Sequence, residues 1–185
     1  MEVKIYDDDL DIGPGLIPDT FGAMYITNEP VIPVGTDWNQ RIGRQVALHS
    51  ITGQGFFYHS EEQENNHESQ LIRMVFLKET AVNFAKVTPL EPSDILSDPT
   101  HYSFINPNFE NRWTILEDRT YIMNSTTDKT DKRKEWRFSI HFNNPLILTY
   151  VGTRPSNCRF HMLLRSETNA FVQALGTLRY RYTDY

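Results

Sequence analysis

The chain has 185 residues, of which 39% are hydrophobic and 23% charged, and a formal net charge of −6 with a pI near 5.5. That length supports one sizeable core, so a single domain over 1–185 is expected, and no apolar run approaches the ~20 residues of a membrane-spanning helix. The acidic balance excludes a surface that binds nucleic acid all over.

Residues 1–19 read as an N-terminal extension ahead of a folded body at 20–185. The first nine residues lack the basic start and apolar core of a signal peptide, and Asp7, Asp8, Asp9 and Asp11 read as a solvated tail. Eight strand-like runs of alternating apolar and polar residues follow, separated by Pro, Gly, Asn and Asp. The first covers 20–27. The second, 45–58, is reached through a turn-rich stretch ending in Gln40-Arg41-Ile42-Gly43-Arg44. The third, 69–79, is apolar on both faces apart from Arg73, which predicts a central strand covered on both sides.

Residues 80–112 form a long connection punctuated by Pro89, Pro92, Pro99 and Pro107, with a short helix predicted at 92–96, where proline suits the first turn. Connections of this length tend to be functional or to make subunit contacts. Its aromatics Phe84, Tyr102, Phe104 and Phe109 are candidate subunit-interface residues, the alternative being that they fold back over one end of a sandwich. The remaining runs are 113–123, 135–142, 146–151, 159–165 and 176–182. In 135–142, Trp136, Phe138, Ile140 and Phe142 share one face and Arg137, Ser139, His141 and Asn143 the other. The reading is all-β: a single eight-stranded antiparallel jelly-roll sandwich of two four-stranded sheets with long loops.

Chemistry-bearing patterns are sparse. The six histidines are scattered with no His-x-His pair, no Gly-x-Ser-x-Gly is present, and the lone Cys158 has no ligand-spaced partner. Cys158 reads as a small buried hydrophobe, and Gly13-Pro14-Gly15 and Gly53-Gln54-Gly55 as turns or β bulges. No enzyme activity, cofactor, metal or membrane association is expected.

The stretch Gly35-Thr36-x-x-x-Gln40-Arg41-Ile42-Gly43-Arg44 resembles a motif of coat proteins from small circular Rep-encoding single-stranded DNA viruses, the group that includes circoviruses and geminiviruses. Arg112 to Arg119, Pro155-Ser156-Asn157 and the closing run 176–184 are similar to further segments of that family, in the same order. The resemblance implies a virion protein whose copies close into a small icosahedral capsid around a single-stranded DNA genome, assembled in the nucleus or cytoplasm of a host whose receptor it does not identify. Arg41, Arg44, Arg179 and Arg181 are the candidate nucleic-acid contacts, with at most one of Arg41 and Arg44 facing DNA and the other clamping a carboxylate. The family's basic N-terminal arm is missing here. Either a longer protein supplies it, or interior side chains alone neutralise the genome. A lectin-like or cytokine-like oligomer that binds a ligand on the same frame is the alternative function.

Overall fold

The computed structural model describes residues 2–17, 24–59, 70–80, 92–97, 103–106, 112–123, 133–166 and 170–185. Among these the chain is nearly all strand: β1 (Lys4–Ile17), β2 (Met24–Asn28), β3 (Gln45–His59), β4 (Gln70–Thr80), β5 (Trp113–Met123), β6 (Arg133–Val151), β7 (Arg154–Pro155), β8 (Cys158–Ser166) and β9 (Ala170–Asp184), with one helical turn, α1 (Pro92–Ile95). One sheet has the order β1-β9-β3-β6-β7 and the other β2-β8-β4-β5, and every pairing between strands is antiparallel. Of the connections between long strands, only β4 to β5 stays in one sheet; the others cross the sandwich. This is the jelly-roll winding.

Alternation places the core. Trp136, Phe138 and Ile140 on β6, Phe160, Met162 and Leu164 on β8, and Leu178, Tyr180 and Tyr182 on β9 are all buried between the sheets. Their rings form a continuous file through seven strands. It runs from Tyr121 to Phe57 (5.4 Å) and on through Trp136 and Phe138, crosses to Phe76 (4.9 Å), continues to Phe160, and ends at Tyr180 and Tyr6 (6.2 Å). Offset ring pairs of this kind add about 0.5–1.5 kcal/mol each beyond their buried area.

Two glycines make room for that file. Gly55 pairs with Gly176 across β3 and β9, and a β carbon at Gly55 would stand 2.0 Å from the Leu175 carbonyl and 2.6 Å from the Trp136 ring. Because one of those neighbours is backbone, nothing can swing aside. Gly55→Ala is expected to cost about 3 kcal/mol, the upper end for overpacking a core, and to lower the melting temperature by roughly 6–12 °C. Thermal unfolding followed by circular dichroism checks this; a change under 2 °C contradicts the packing described.

Five expectations change. Residues 4–17, read as part of an extension and its acidic cluster as a solvated tail, form β1, which pairs along its length with β9. The runs 135–142 and 146–151 are one strand, β6; between the partners of Leu48 and Ser50 its residues 142–145 bulge out of register. With β1 ahead of β2, the Gln-Arg-Ile-Gly-Arg stretch leads into the third strand, not the second. Gly53-Gln54-Gly55 is neither turn nor bulge but mid-strand, placed for close ring approach, whereas Gly13-Pro14-Gly15 does coincide with a register shift in β1. The sheets hold five and four strands, the extra one being the two-residue β7. β4 lies inside its sheet with both faces buried, as its sequence predicts.

Candidate functional site

The segment 29–44 closes one end of the sandwich, and Arg41 organises it. Arg41 is 2% exposed. Its Nε donates to the Ile32 carbonyl at 3.2 Å, and its two terminal nitrogens donate to the carbonyls of Gly43 and Gly152. The guanidinium also lies 4.3 Å from the centre of the Tyr150 ring, a cation–π contact. Gly43 (φ 83°) and Gly152 (φ 66°) are both left-handed, a conformation that glycine adopts without the penalty of a β carbon. The two turns curl their carbonyls onto one cation. Around it, Gly35 N–H donates to the Arg41 carbonyl and Arg41 N–H to that of Pro33, while Asp184 accepts from Ile42 N–H and from Lys4, each at 2.8 Å.

Beside this clamp a cleft of about 390 Å³ opens between Val34, Arg44, Tyr150 and Val151. Arg44 stands exposed on its rim. Burial holds the Tyr150 phenol well above its ordinary pKa and pushes the Cys158 thiol up to about 12, so both stay neutral across the physiological range.

The outer face of the five-stranded sheet is a separate, flat and polar surface. Arg179 and Arg181 on β9 are exposed there, in register with Thr52 and Ser50 of β3, and Arg137, Ser139 and His141 of β6 lie beyond. Arg179 donates two hydrogen bonds to Asp7 of β1, at 2.7 and 2.8 Å. Those bonds hold the Asp7 carboxyl below its ordinary range. Arg137 reaches Gln54 at 3.5 Å. The middle of this face is cationic and its β1 margin acidic.

On the outer face of the other sheet, α1 and the described residues 96–97 and 103–106 pack on a second, smaller core of Val75, Leu77, Ile95, Leu96, Trp113 and Leu163. Leu96 pairs with Ile105, and between them Phe104 stands 83% exposed. Arg73 ties the cover down, donating twice to Asp118 and once to the Ser103 carbonyl. Deeper, Glu79 is 1% exposed and meets His161 at 2.8 Å and Arg112 at 2.6 Å. Burial raises the Glu79 carboxyl, but the hydrogen bonds from His161 and Arg112 outweigh it and hold the pKa below its ordinary value.

No family model matches the chain, and no curated protein does. Among solved structures it is similar to a chain of Desmodium yellow mottle tymovirus, at 7% identity and a TM-score of 0.41, covering 99% of this chain and 87% of that one. It is also similar to the VP2 subviral particle of infectious bursal disease virus, at 14% identity and a TM-score of 0.34, covering 97% of this chain and 33% of that one. Likenesses this distant carry no argument about function.

The four candidate arginines therefore do not form one site. Arg41 is withdrawn as a nucleic-acid contact: it is buried and its guanidinium is spent on backbone carbonyls, not on the carboxylate expected for one of the pair. Arg44 lies at the end of the sandwich, and Arg179 and Arg181 on the flat face. Of the loop aromatics, Phe104 is exposed, while Phe84, Tyr102 and Phe109 fall outside the described residues. Sequence reasoning missed Arg137 as a neighbour of Arg179 and Arg181, although its place opposite Trp136 and Phe138 put it on that face. It also missed the Glu79–His161 pair. Among the described residues no cluster of three or more His, Cys, Asp or Glu side chains is placed to hold a metal.

Proposed function

We propose that this chain is a structural capsid subunit whose copies close into a small icosahedral shell around a single-stranded DNA genome. One observation carries the reading: the Gln-Arg-Ile-Gly-Arg stretch, which resembles a coat-protein motif of circular single-stranded DNA viruses, leads into β3 of a jelly-roll sandwich and is locked there by Arg41. The rigid two-sheet body and the exposed Phe104 suit a subunit that presents fixed surfaces to its neighbours. The cationic middle of the five-stranded sheet, Arg181 and Arg137 with the Asp7-paired Arg179 between β1 and β3, is the surface offered to phosphates, and such local contacts add over the many copies of a shell.

Negative-stain microscopy of the purified protein tests this. Uniform shells are the expected result; a chain that stays monomeric at high concentration across salt and pH rejects it. Discrete small oligomers with a saturable small ligand would favour the ligand-binding alternative. For the packaging half, Arg179→Ala and Arg181→Ala are each expected to reduce the nucleic-acid absorbance of the particles. Each should also flatten the salt dependence of single-strand binding by about 0.7 in the log–log slope. An unchanged slope in both variants removes that face from the proposal.

A further inference from the structure

The outer face of the five-stranded sheet changes character along β3. Ser50 and Thr52 lie in register with Arg181 and Arg179; beyond them come Gln54 beside Arg137, Phe56 between Leu175 and Glu135, and Tyr58 beside Arg133. Phe56 and Tyr58 flank the buried Phe57, so alternation turns both to the outside, where they are half-buried. Their ring centres are 6.0 Å apart. The Arg133 guanidinium lies 5.2 Å from the centre of the Phe56 ring, and three planar groups therefore sit together at this end of the face.

Cations continue from that platform toward the middle of the sheet. Arg137 is 67% exposed and reaches Glu135 only at 3.9 Å. Arg133 and Arg181 are exposed, and among the described residues no carboxylate stands within ion-pair distance of either. From Tyr58 to Ser50 the strip measures roughly 26 Å at the rise of an extended strand. Asp7, Asp9 and Asp11 on β1 make the opposite margin acidic, which confines a polyanion to the β3 and β6 side. A bare polyphosphate needs only the cations. Rings set among them gain by covering their faces with another π surface, which the bases of a single strand supply whatever their sequence.

We infer that the bases of single-stranded DNA stack on Tyr58, Phe56 and the Arg133 guanidinium while its phosphates follow Arg137 and Arg181. Guanidinium planes take bases as aromatic rings do, so Arg133 extends the platform that Phe56 supports. This assignment rests on the packaging reading for its ligand and adds what cations alone do not supply, a dependence on the bases themselves.

The test measures binding to the intact chain, at concentrations too low for shells to form, by fluorescence anisotropy of two labelled strands of equal length. One is an oligothymidine; the other is abasic, with the same phosphates and no bases. The wild type is expected to bind the thymidine strand about tenfold more tightly or better. Tyr58→Leu and Phe56→Leu keep apolar bulk but remove the π face. Each should weaken thymidine binding about fivefold or more and leave abasic binding unchanged, with the unfolding transition confirming that the variant folds. Equal affinity of the wild type for both strands overturns the inference and leaves the phosphate-binding reading standing, and binding of neither strand rejects both. Folded leucine variants that bind thymidine like the wild type overturn the assignment to these rings. Tighter binding of a uridine strand than of the thymidine strand overturns DNA as the occupant. Base-dependent binding by a protein that never forms shells keeps the inference and rejects the shell.

Discussion

Arg41→Met is expected to destabilise the protein by about 3 kcal/mol. The substitution deletes charge-assisted bonds worth about 1.5–3 kcal/mol each, offset by the cost of burying the cation, and leaves the carbonyls of Ile32, Gly43 and Gly152 without their donor. Methionine recovers apolar packing against Tyr150 but satisfies none of the three. For a domain of this size the melting temperature falls by roughly 6–12 °C. Arg41→Lys restores the charge without the planar fork that reaches Gly43 and Gly152 together, so it should recover only part of the loss. Urea unfolding of the three proteins decides it, and a loss below 1 kcal/mol for Arg41→Met would show that the clamp is ornamental.

Glu79→Gln should cost about 3–5 kcal/mol at neutral pH, because it leaves the Arg112 guanidinium without its buried counter-charge. The pH dependence supplies an independent check. Glu79 has a folded pKa below the ordinary 4.5, so it binds its proton less readily when folded than when unfolded. The stability it supplies is present above pH ~4.5 and lost as pH falls through the folded value. Asp7 acts in the same direction through Arg179. Asp8, raised by burial and by Asp9, acts oppositely: its penalty is relieved as the pH falls. The wild type is expected to lose stability steeply below about pH 4.5 and the Glu79→Gln variant less so. Parallel slopes for the two proteins, measured by urea midpoints between pH 3 and 7, would contradict the assignment.

Most of the sandwich was legible because burial in sheets has a period of two. β4 announced itself by apolar residues on both faces, β8 by Phe160, Met162 and Leu164 set against His161 and Arg165, and β9 by Leu178, Tyr180 and Tyr182 set against Arg179 and Arg181. β1 did not. Its inward residues are Lys4, Tyr6, Asp8 and Leu10, a mixture that carries no apolar stripe, and its partner lies some 170 residues away, so the Asp7–Arg179 bond that marks the pairing is invisible locally. β6 was divided because Asn143-Asn144-Pro145 has the composition of a turn; the structure uses it as a bulge on one continuous strand.

The site was less legible for a related reason. A charged side chain is assigned to the surface by type, and Arg41 defies this because two glycine turns, one of them distant in sequence, aim carbonyls at it. The hint lay in Gly43, two residues on, which lets the backbone curl back. Glu79 and His161 follow the same logic: once β4 is covered on both faces, its neighbour β8 must be covered too, and polar groups placed there must find each other. Phe104, for which the sequence left both an interface and a fold-back open, stands exposed while its neighbours Leu96 and Ile105 turn inward.

β9 lies between β1 and β3, hydrogen-bonded to both, and its final residues hold Lys4 and Ile42 through Asp184. β1 pairs with β9 alone among the described strands, some 170 residues further along the chain, and the Arg41 end closes on Asp184 of that same strand. Neither the edge of the sheet nor the cleft therefore takes its final form until the most distant pairing in the sheet is made, and a fold that depends on pairings of such long sequence separation assembles slowly.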